Sequence, residues 1–128
     1  MTSDSSDFEM RFYEGIVKQS PLHFDALLSL AEVYTRKGLY VKGLEMDQRL
    51  SKLRPQDPVI QYNLACSYAL VGAKEEALLI LQRAIRLGYR DFSHIKKDSD
   101  LRSLKDDPRF QDLLRAFSKT REKKEGEV

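Results

Sequence analysis

The sequence repeats itself at a spacing of 34 residues, and this repeat constrains the fold more than any other feature. Aligning the chain with itself at that offset gives the identical pairs Leu30/Leu64, Ala31/Ala65, Tyr34/Tyr68, Gly38/Gly72, Leu44/Leu78, Gln48/Gln82, Arg49/Arg83, Leu53/Leu87 and Asp57/Asp91. Periods of roughly 20 to 50 residues are typical of stacked repeat proteins, in which each unit is one supersecondary element. The spacing therefore predicts two full units, 24–57 and 58–91.

Each unit is predicted to contain two helices. Apolar residues between Leu27 and Tyr34 recur at i, i+3, i+4 and i+7, which places them on one face of an α-helix. Gly38 and Gly72 then interrupt the periodic stretches, and a glycine closes a helix cheaply because it adopts the left-handed backbone conformation. A second periodic stretch follows each glycine, so the pattern predicts antiparallel helix pairs joined by tight turns.

Incomplete units are predicted on both sides of the two full ones. Phe8 to Gln19 carries one apolar face and is interpreted as the second helix of a half repeat. A degenerate third unit contains a short helix near Phe92 and a last helix after Asp107, which precedes proline as a helix cap does. The predicted domain spans 8–119, with a half repeat at 8–21, a third repeat at 92–119, a flexible segment at 1–7 and a charged tail at 120–128.

Composition restricts the classes of function. The 22 Lys and Arg residues nearly balance the 20 Asp and Glu residues, so there is no strong electrostatic attraction for nucleic acid. Cys66 is the one cysteine, which leaves no disulfide and no zinc-type spacing, and we expect no metal and no cofactor. No apolar run approaches the roughly 20 residues that span a bilayer. With the polar N-terminal residues, this favours a cytoplasmic protein.

These residues together resemble the tetratricopeptide-repeat (TPR) family. The resemblance is carried by Leu30, Ala31, Tyr34, Gly38, Tyr40, Gly43, Leu50, Pro55, Leu64, Ala65, Tyr68, Gly72, Ala77 and Ala84, and covers about residues 8 to 117. It implies an all-α fold of about six to seven helices, stacked as antiparallel pairs in a right-handed superhelix, a TPR-like α-solenoid. Leu27, Asp47 and Gln61 depart from the family pattern, since aromatic residues are common there.

The resemblance also implies a concave groove lined by the first helix of each pair. By register the groove residues are Leu28, Glu32, Arg36, Tyr62, Asn63, Cys66, Leu70, Lys96 and Lys97, with Ser93 beside them. Asn63 stands where the family commonly has an asparagine that hydrogen-bonds the backbone of a bound peptide; the alternative is an ordinary surface asparagine. Tyr62 is equally compatible with stacking on a ligand and with packing against the neighbouring pair.

Several polar residues have simpler interpretations than a specialised site. A carboxylate clamp of the chaperone-binding type is disfavoured, because Leu28 cannot donate a hydrogen bond and Glu32 repels a carboxylate. Lys96 and Lys97 form either a basic patch for an acidic peptide or a solvated face. Cys66 is interpreted as small apolar filler.

The remaining titratable residues are interpreted as structural. The pattern predicts capping or surface roles for His23 and His94. The aspartates of the third unit are interpreted as helix caps, because their spacing does not fit a calcium loop; they are Asp98, Asp100, Asp106 and Asp107.

The resulting hypothesis is a non-catalytic module that binds a protein or peptide in the groove. Few titratable residues are left over to build an active site, so we expect no enzyme. The alternative is a self-assembling structural module, because the half repeat leaves one helix without its usual partner and an apolar edge exposed. That alternative predicts a weak homodimer that a charge at Ile16 or Phe117 disrupts.

Overall fold

The computed structural model describes residues 5–126, and these residues form helices with no strand among them. The helices are α1 (Ser5–Gln19), α2 (Phe24–Arg36), α3 (Tyr40–Leu53), α4 (Pro58–Leu70), α5 (Lys74–Leu87), α6 (Phe92–Lys97), a 3₁₀ helix (Ser99–Leu104) and α7 (Pro108–Gly126). Consecutive helices pack on each other: α1 on α2, α2 on α3, α3 on α4 and α4 on α5. The predicted all-α fold of adjacent packed helices is confirmed.

The turns inside the two full units have the same geometry because the same residues recur. Gly38 and Gly72 have φ angles of +78° and +84°, in the left-handed region that favours glycine. The residue after each glycine then closes the preceding helix: Leu39 N donates to Tyr34 O at 2.8 Å, and Ala73 N donates to Tyr68 O at 2.9 Å. The tight turns predicted from the glycines are therefore present.

Aspartate caps begin the second unit and the last helix. Asp57 accepts hydrogen bonds from Val59 N at 2.9 Å and Ile60 N at 3.2 Å, with Pro58 at the first helical position. Asp107 accepts from Arg109 N at 2.9 Å in the same way. The sequence prediction of caps at both Asp-Pro pairs is confirmed.

The buried apolar residues form two clusters along the array. The first joins α1, α2 and α3, and includes Leu27, Leu30 and Leu50. The second joins α4 and α5 to the third unit, where Ile95, Leu101, Leu104, Phe110 and Leu114 are buried. The degenerate third unit thus completes the core on the open side of α5, which a solenoid needs because its apolar face is otherwise uncovered.

Helices extend into both terminal segments that the sequence analysis sets apart from the domain. Helix α1 begins at Ser5, so Ser5 to Asp7 are helical, and the Asp7 carboxylate pairs with Lys37 at the end of α2. Helix α7 continues to Gly126, through most of the predicted charged tail. Residues 1–4 and 127–128 of those segments lie outside the described residues. The division into half, full and degenerate repeats stays a prediction.

Within residues 5–126, no helix combines the length and apolar character that crossing a bilayer requires.

Candidate binding cleft

A cleft of about 610 Å³ lies between α2, α4 and the segment that follows α6. We call it the α2–α4 cleft. Its lining comprises Leu28, Ser29, Ala31, Glu32, Thr35, Arg36, Asp47, Tyr62, Asn63, Cys66, Ser67, Leu70, His94, Asp98 and Asp100. The volume falls within the roughly 300–1,000 Å³ of ligand sites in proteins.

Most of the groove residues predicted from the sequence line this cleft. The lining includes Leu28, Glu32, Arg36, Tyr62, Asn63, Cys66 and Leu70. They come together because residues three and four apart share a helix face, and the equivalent faces of α2 and α4 lie side by side. Peptide binding by these residues stays a prediction.

The two predicted lysines are not part of the cleft lining. Lys96 lines a different pocket, with Phe110 and Gln111, and Lys97 is exposed. Helix α6 buries Ile95 completely. That orientation turns His94 and Asp98, one helical turn apart, towards the cleft in place of the lysines.

Asp98 is the most connected polar residue of the cleft, although the sequence indicates only a helix cap. It does cap the 3₁₀ helix, accepting from Asp100 N at 3.0 Å. It also accepts from the Tyr62 hydroxyl at 2.6 Å and from Cys66 Sγ at 3.7 Å, and its Oδ2 lies 3.1 Å from His94 Nε2. The carboxylate thus ties the third unit to the face of α4.

Tyr62 and Cys66 are held in their neutral forms by this environment. Burial, and then the nearby negative charge of Asp98, raises the pKa of the Cys66 thiol. Burial likewise raises the pKa of the Tyr62 phenol. The Tyr62 ring stacks on Tyr89, with centroids 4.1 Å apart and planes 6° apart. The ring also lies 5.7 Å from the ring of His94 in the third unit, in keeping with the packing interpretation, and stacking on a ligand stays a prediction.

A buried carboxylate forms part of the cleft between the two full units. Asp47 on α3 is buried and accepts a hydrogen bond from the Ser67 hydroxyl on α4. Burial raises its pKa to about 6, and the Ser67 hydrogen bond offsets part of that rise. The sequence marks Asp47 as a departure from the family pattern, but contains no signal for Ser67 as its partner.

Asn63 is a polar lining residue with hydrogen-bonding capacity left over. Its side chain is half-buried, and no described residue donates to or accepts from its amide. A primary amide offers two donors and an acceptor. The Asn63 amide can therefore donate to and accept from a peptide backbone at once.

The ligand atoms of Cys66, Asp98 and Asp100 lie within 4.8 Å of one another. A thiolate is the metal-binding form of cysteine, and the raised pKa of Cys66 keeps the proton on sulfur near neutral pH. Asp98 is already committed to Tyr62 and to the cap. Hydrogen bonding accounts for the approach of Cys66 to Asp98, and Asp98 is a helix cap, as the sequence interpretation expects.

The fold and the cleft together define an all-α helical-repeat domain with a polar cleft across adjacent units. No family model matches the chain. The chain is similar to a chloroplastic protein of Arabidopsis thaliana, with 32% identity over 90 residues that cover 68% of this chain and 27% of that protein.

Similarity also extends to peroxisomal targeting signal receptors. The chain is 30% identical to the receptor of Pichia angusta over 88 residues, which cover 69% of this chain and 16% of the receptor. It is 31% identical to the receptor of Komagataella phaffii over 88 residues, covering 69% and 15%. The chain spans about a quarter or less of the length of these curated relatives.

Proposed function

We propose that this chain is a non-catalytic interaction module of the tetratricopeptide-repeat type, and that the α2–α4 cleft takes a peptide segment of a partner protein. The 34-residue repeat and the paired, adjacent helices support this assignment of the fold. The similarity to proteins named as targeting signal receptors supports a protein-binding role.

The observation that carries the proposal is the unpartnered amide of Asn63 in the cleft. An extended peptide presents alternating N–H and C=O groups, and a half-buried amide satisfies one of each irrespective of the peptide's side chains. Leu28 and Leu70 line the same cleft and supply apolar contact beside the amide. This combination suits recognition of a peptide main chain with a few side-chain contacts.

The chemistry of the cleft supports a non-catalytic role. A nucleophilic cysteine needs a lowered pKa, whereas burial and Asp98 raise that of Cys66. The Tyr62 phenol is also held neutral by burial and donates to Asp98, so it is not poised as a base.

The proposal is tested by selecting binders from a random peptide display library against the purified chain and measuring their affinity by fluorescence anisotropy. Asn63→Ala is expected to weaken the selected peptides about fivefold to tenfold, which corresponds to roughly 1 to 1.4 kcal/mol for lost backbone hydrogen bonds. Lys97→Ala, at an exposed position outside the cleft, is the control and should leave the affinity unchanged.

Thermal unfolding by circular dichroism verifies that both variants are folded. Equal affinities for the parent chain and Asn63→Ala would contradict the assignment of the cleft.

Self-assembly is a second candidate, because α1 exposes two aromatic side chains. Phe8 is 72% exposed and Phe12 is 54% exposed, and their rings are stacked with centroids 6.5 Å apart. Ile16 and Phe117 pack against the two core clusters, so a charge at either position also disturbs folding. Phe12→Glu is the better variant: sedimentation equilibrium should show it dissociating an oligomer, and a monomeric parent chain at high concentration excludes this candidate.

A further inference from the structure

We infer that the peptide segment taken by the α2–α4 cleft is cationic, carrying a Lys or Arg side chain that pairs with Asp100 and the adjacent Asp98. This inference rests on the proposed function and specifies its partner. It is opposite in sign to the basic-patch alternative of the sequence analysis, in which Lys96 and Lys97 attract an acidic peptide.

The charged groups of the cleft lining are predominantly acidic. Glu32, Asp47, Asp98 and Asp100 contribute carboxyl groups, and the lining contains one Lys or Arg residue, Arg36. The whole chain carries a formal net charge of +2, so the negative charge is a local property of the cleft. Local charge of one sign attracts segments of the opposite sign and repels those of the same sign.

The one guanidinium of the lining is already engaged. Arg36 pairs with Glu9 of α1 at 3.1 Å and with Glu32 at 3.5 Å. Its charge is thus offset by neighbouring carboxylates and does not neutralise the third-unit side of the cleft. An acidic peptide would meet uncompensated carboxylates there.

Asp100 is the carboxylate best placed to receive a cation. It is half-buried, and no described residue donates a hydrogen bond to its side chain. Burial, which disfavours the charged form, and the negative charge of Asp98 both raise its pKa, and His94 offsets part of that rise. An ammonium or guanidinium group of a ligand would relieve that repulsion and provide the missing donor.

Asp98 and His94 complete the local charge environment. Asp98 is committed to Tyr62 and to the cap of the 3₁₀ helix, so it contributes its charge more than free acceptor capacity. His94 lies against Asp98, and a positive charge on its ring also acts on Asp100, whose pKa it lowers. Asn63 and Asp100 therefore act on different features of one peptide: the amide on its main chain, and the carboxylate on its positive side chain.

The inference is tested with the display selection described above, followed by matched synthetic peptides. The selected sequences should be enriched in Lys or Arg, and replacing that residue by Gln or Glu should weaken binding progressively. Asp100→Asn, which keeps the shape and removes the charge, should weaken a cationic peptide about fivefold, as for a partly screened ion pair. Raising the salt from about 50 mM to about 500 mM should weaken it further.

Asp112→Asn is the matched control, because Asp112 is an exposed aspartate on α7 outside the cleft. This variant should bind the cationic peptide with the affinity of the parent chain. Glu32→Gln provides a second cleft variant if Asp100→Asn is unfolded by circular dichroism. Selection of neutral or acidic peptides that Asn63→Ala weakens would overturn the cationic partner and leave the proposed function standing. A library that yields no binder contradicts both.

Discussion

The junction between the two full units has buried polar side chains at its centre, whereas α5 presents only apolar side chains at the matching positions facing the third unit, and hydrogen bonds such as Tyr62–Asp98 lie at the cleft. In the first, Asp47 and Ser51 of α3 meet Ser67 and Gln61 of α4. The positions 34 residues later in α5 are Leu81 and Ile85, both fully buried. The apolar core forms two clusters, with the buried polar residues Asp47, Gln61 and Ser67 between them, and the first cluster reaches α4 through Ile60.

One helical scaffold thus serves two purposes at equivalent positions. Leu81 stabilises the stack by burying apolar surface, and full burial of a leucine side chain contributes roughly 1.5 to 3 kcal/mol. Asp47 lacks that apolar contribution, and its carboxyl group lines the cleft instead. We therefore expect the first junction to be the weaker of the two.

The largest effect is expected from giving the second junction the residue of the first. Leu81→Asp places a carboxylate in a fully buried apolar position with no partner, which should lower the free energy of unfolding by about 4 kcal/mol or more. Urea denaturation followed by circular dichroism measures the change. A loss below about 1 kcal/mol would mean that the apolar junction is not a main source of stability.

The first and second units should also differ in local stability in the unsubstituted chain. Backbone amides of α2 and α3 should exchange hydrogen through openings about 2 kcal/mol less costly than those of α4 and α5, because the polar junction couples the first unit weakly to the rest. Native-state hydrogen exchange by NMR measures both sets in one sample. Identical protection throughout all four helices would show that the polar junction is as strong as the apolar one.

Removing the charge at the polar junction should stabilise the protein near neutral pH. The folded-state pKa of Asp47, about 6, lies above its value in an unfolded chain. Its contribution to stability is therefore fully present below about pH 4 and is lost as the pH rises through about 6. Asp47→Asn keeps the acceptor for Ser67 without the charge, so it should raise the free energy of unfolding by about 1 to 2 kcal/mol at about pH 7.5.

The control for Asp47→Asn is the same measurement at about pH 3.5, where the parent carboxyl is protonated and the two proteins should have equal stability. Ser67 is left unchanged in both proteins. A variant less stable than the parent at neutral pH would mean that the ionised carboxylate is favourable in place.

The smallest effect concerns the small residues that let paired helices approach. A Cβ at Gly43 would lie 3.0 Å from Thr35 Oγ1, whereas the corresponding residues of the second unit are Ala77 and Ala69. Gly43→Ala alone should change stability little, because a helix-propensity gain of about 1 kcal/mol is offset by that contact. Combined with Thr35→Ala, Gly43→Ala should raise the free energy of unfolding by about 0.5 to 1 kcal/mol. A double-mutant cycle that gives no coupling free energy between positions 35 and 43 would contradict the proposed steric conflict.

The helical array was predictable from the sequence because its signals are local and repeated. A glycine at the same place in each unit produces the same turn, and an aspartate before proline produces the same cap. Burial of Leu30 and Ala65 follows from helical spacing alone. Such features need no knowledge of contacts between distant residues.

The charge of the cleft was not predictable by the same means. The bond between Tyr62 and Asp98 joins residues 36 positions apart, and it depends on how the short helix α6 is rotated. That rotation is set by the burial of Ile95 and Leu101 in a unit that has lost its repeat pattern. Register with the regular units therefore put Lys97 in the groove, where tertiary packing puts Asp98 and Asp100.

Whether the α2–α4 cleft is the binding site is tested most directly by NMR mapping of backbone amide shifts during titration with a selected Lys- or Arg-containing peptide. Binding in the α2–α4 cleft predicts the largest perturbations in α2 and α4 and at residues 98–100. Perturbations concentrated on the exposed face of α1 at Phe8 and Phe12, or along α7, with α2 and α4 unchanged, would contradict it.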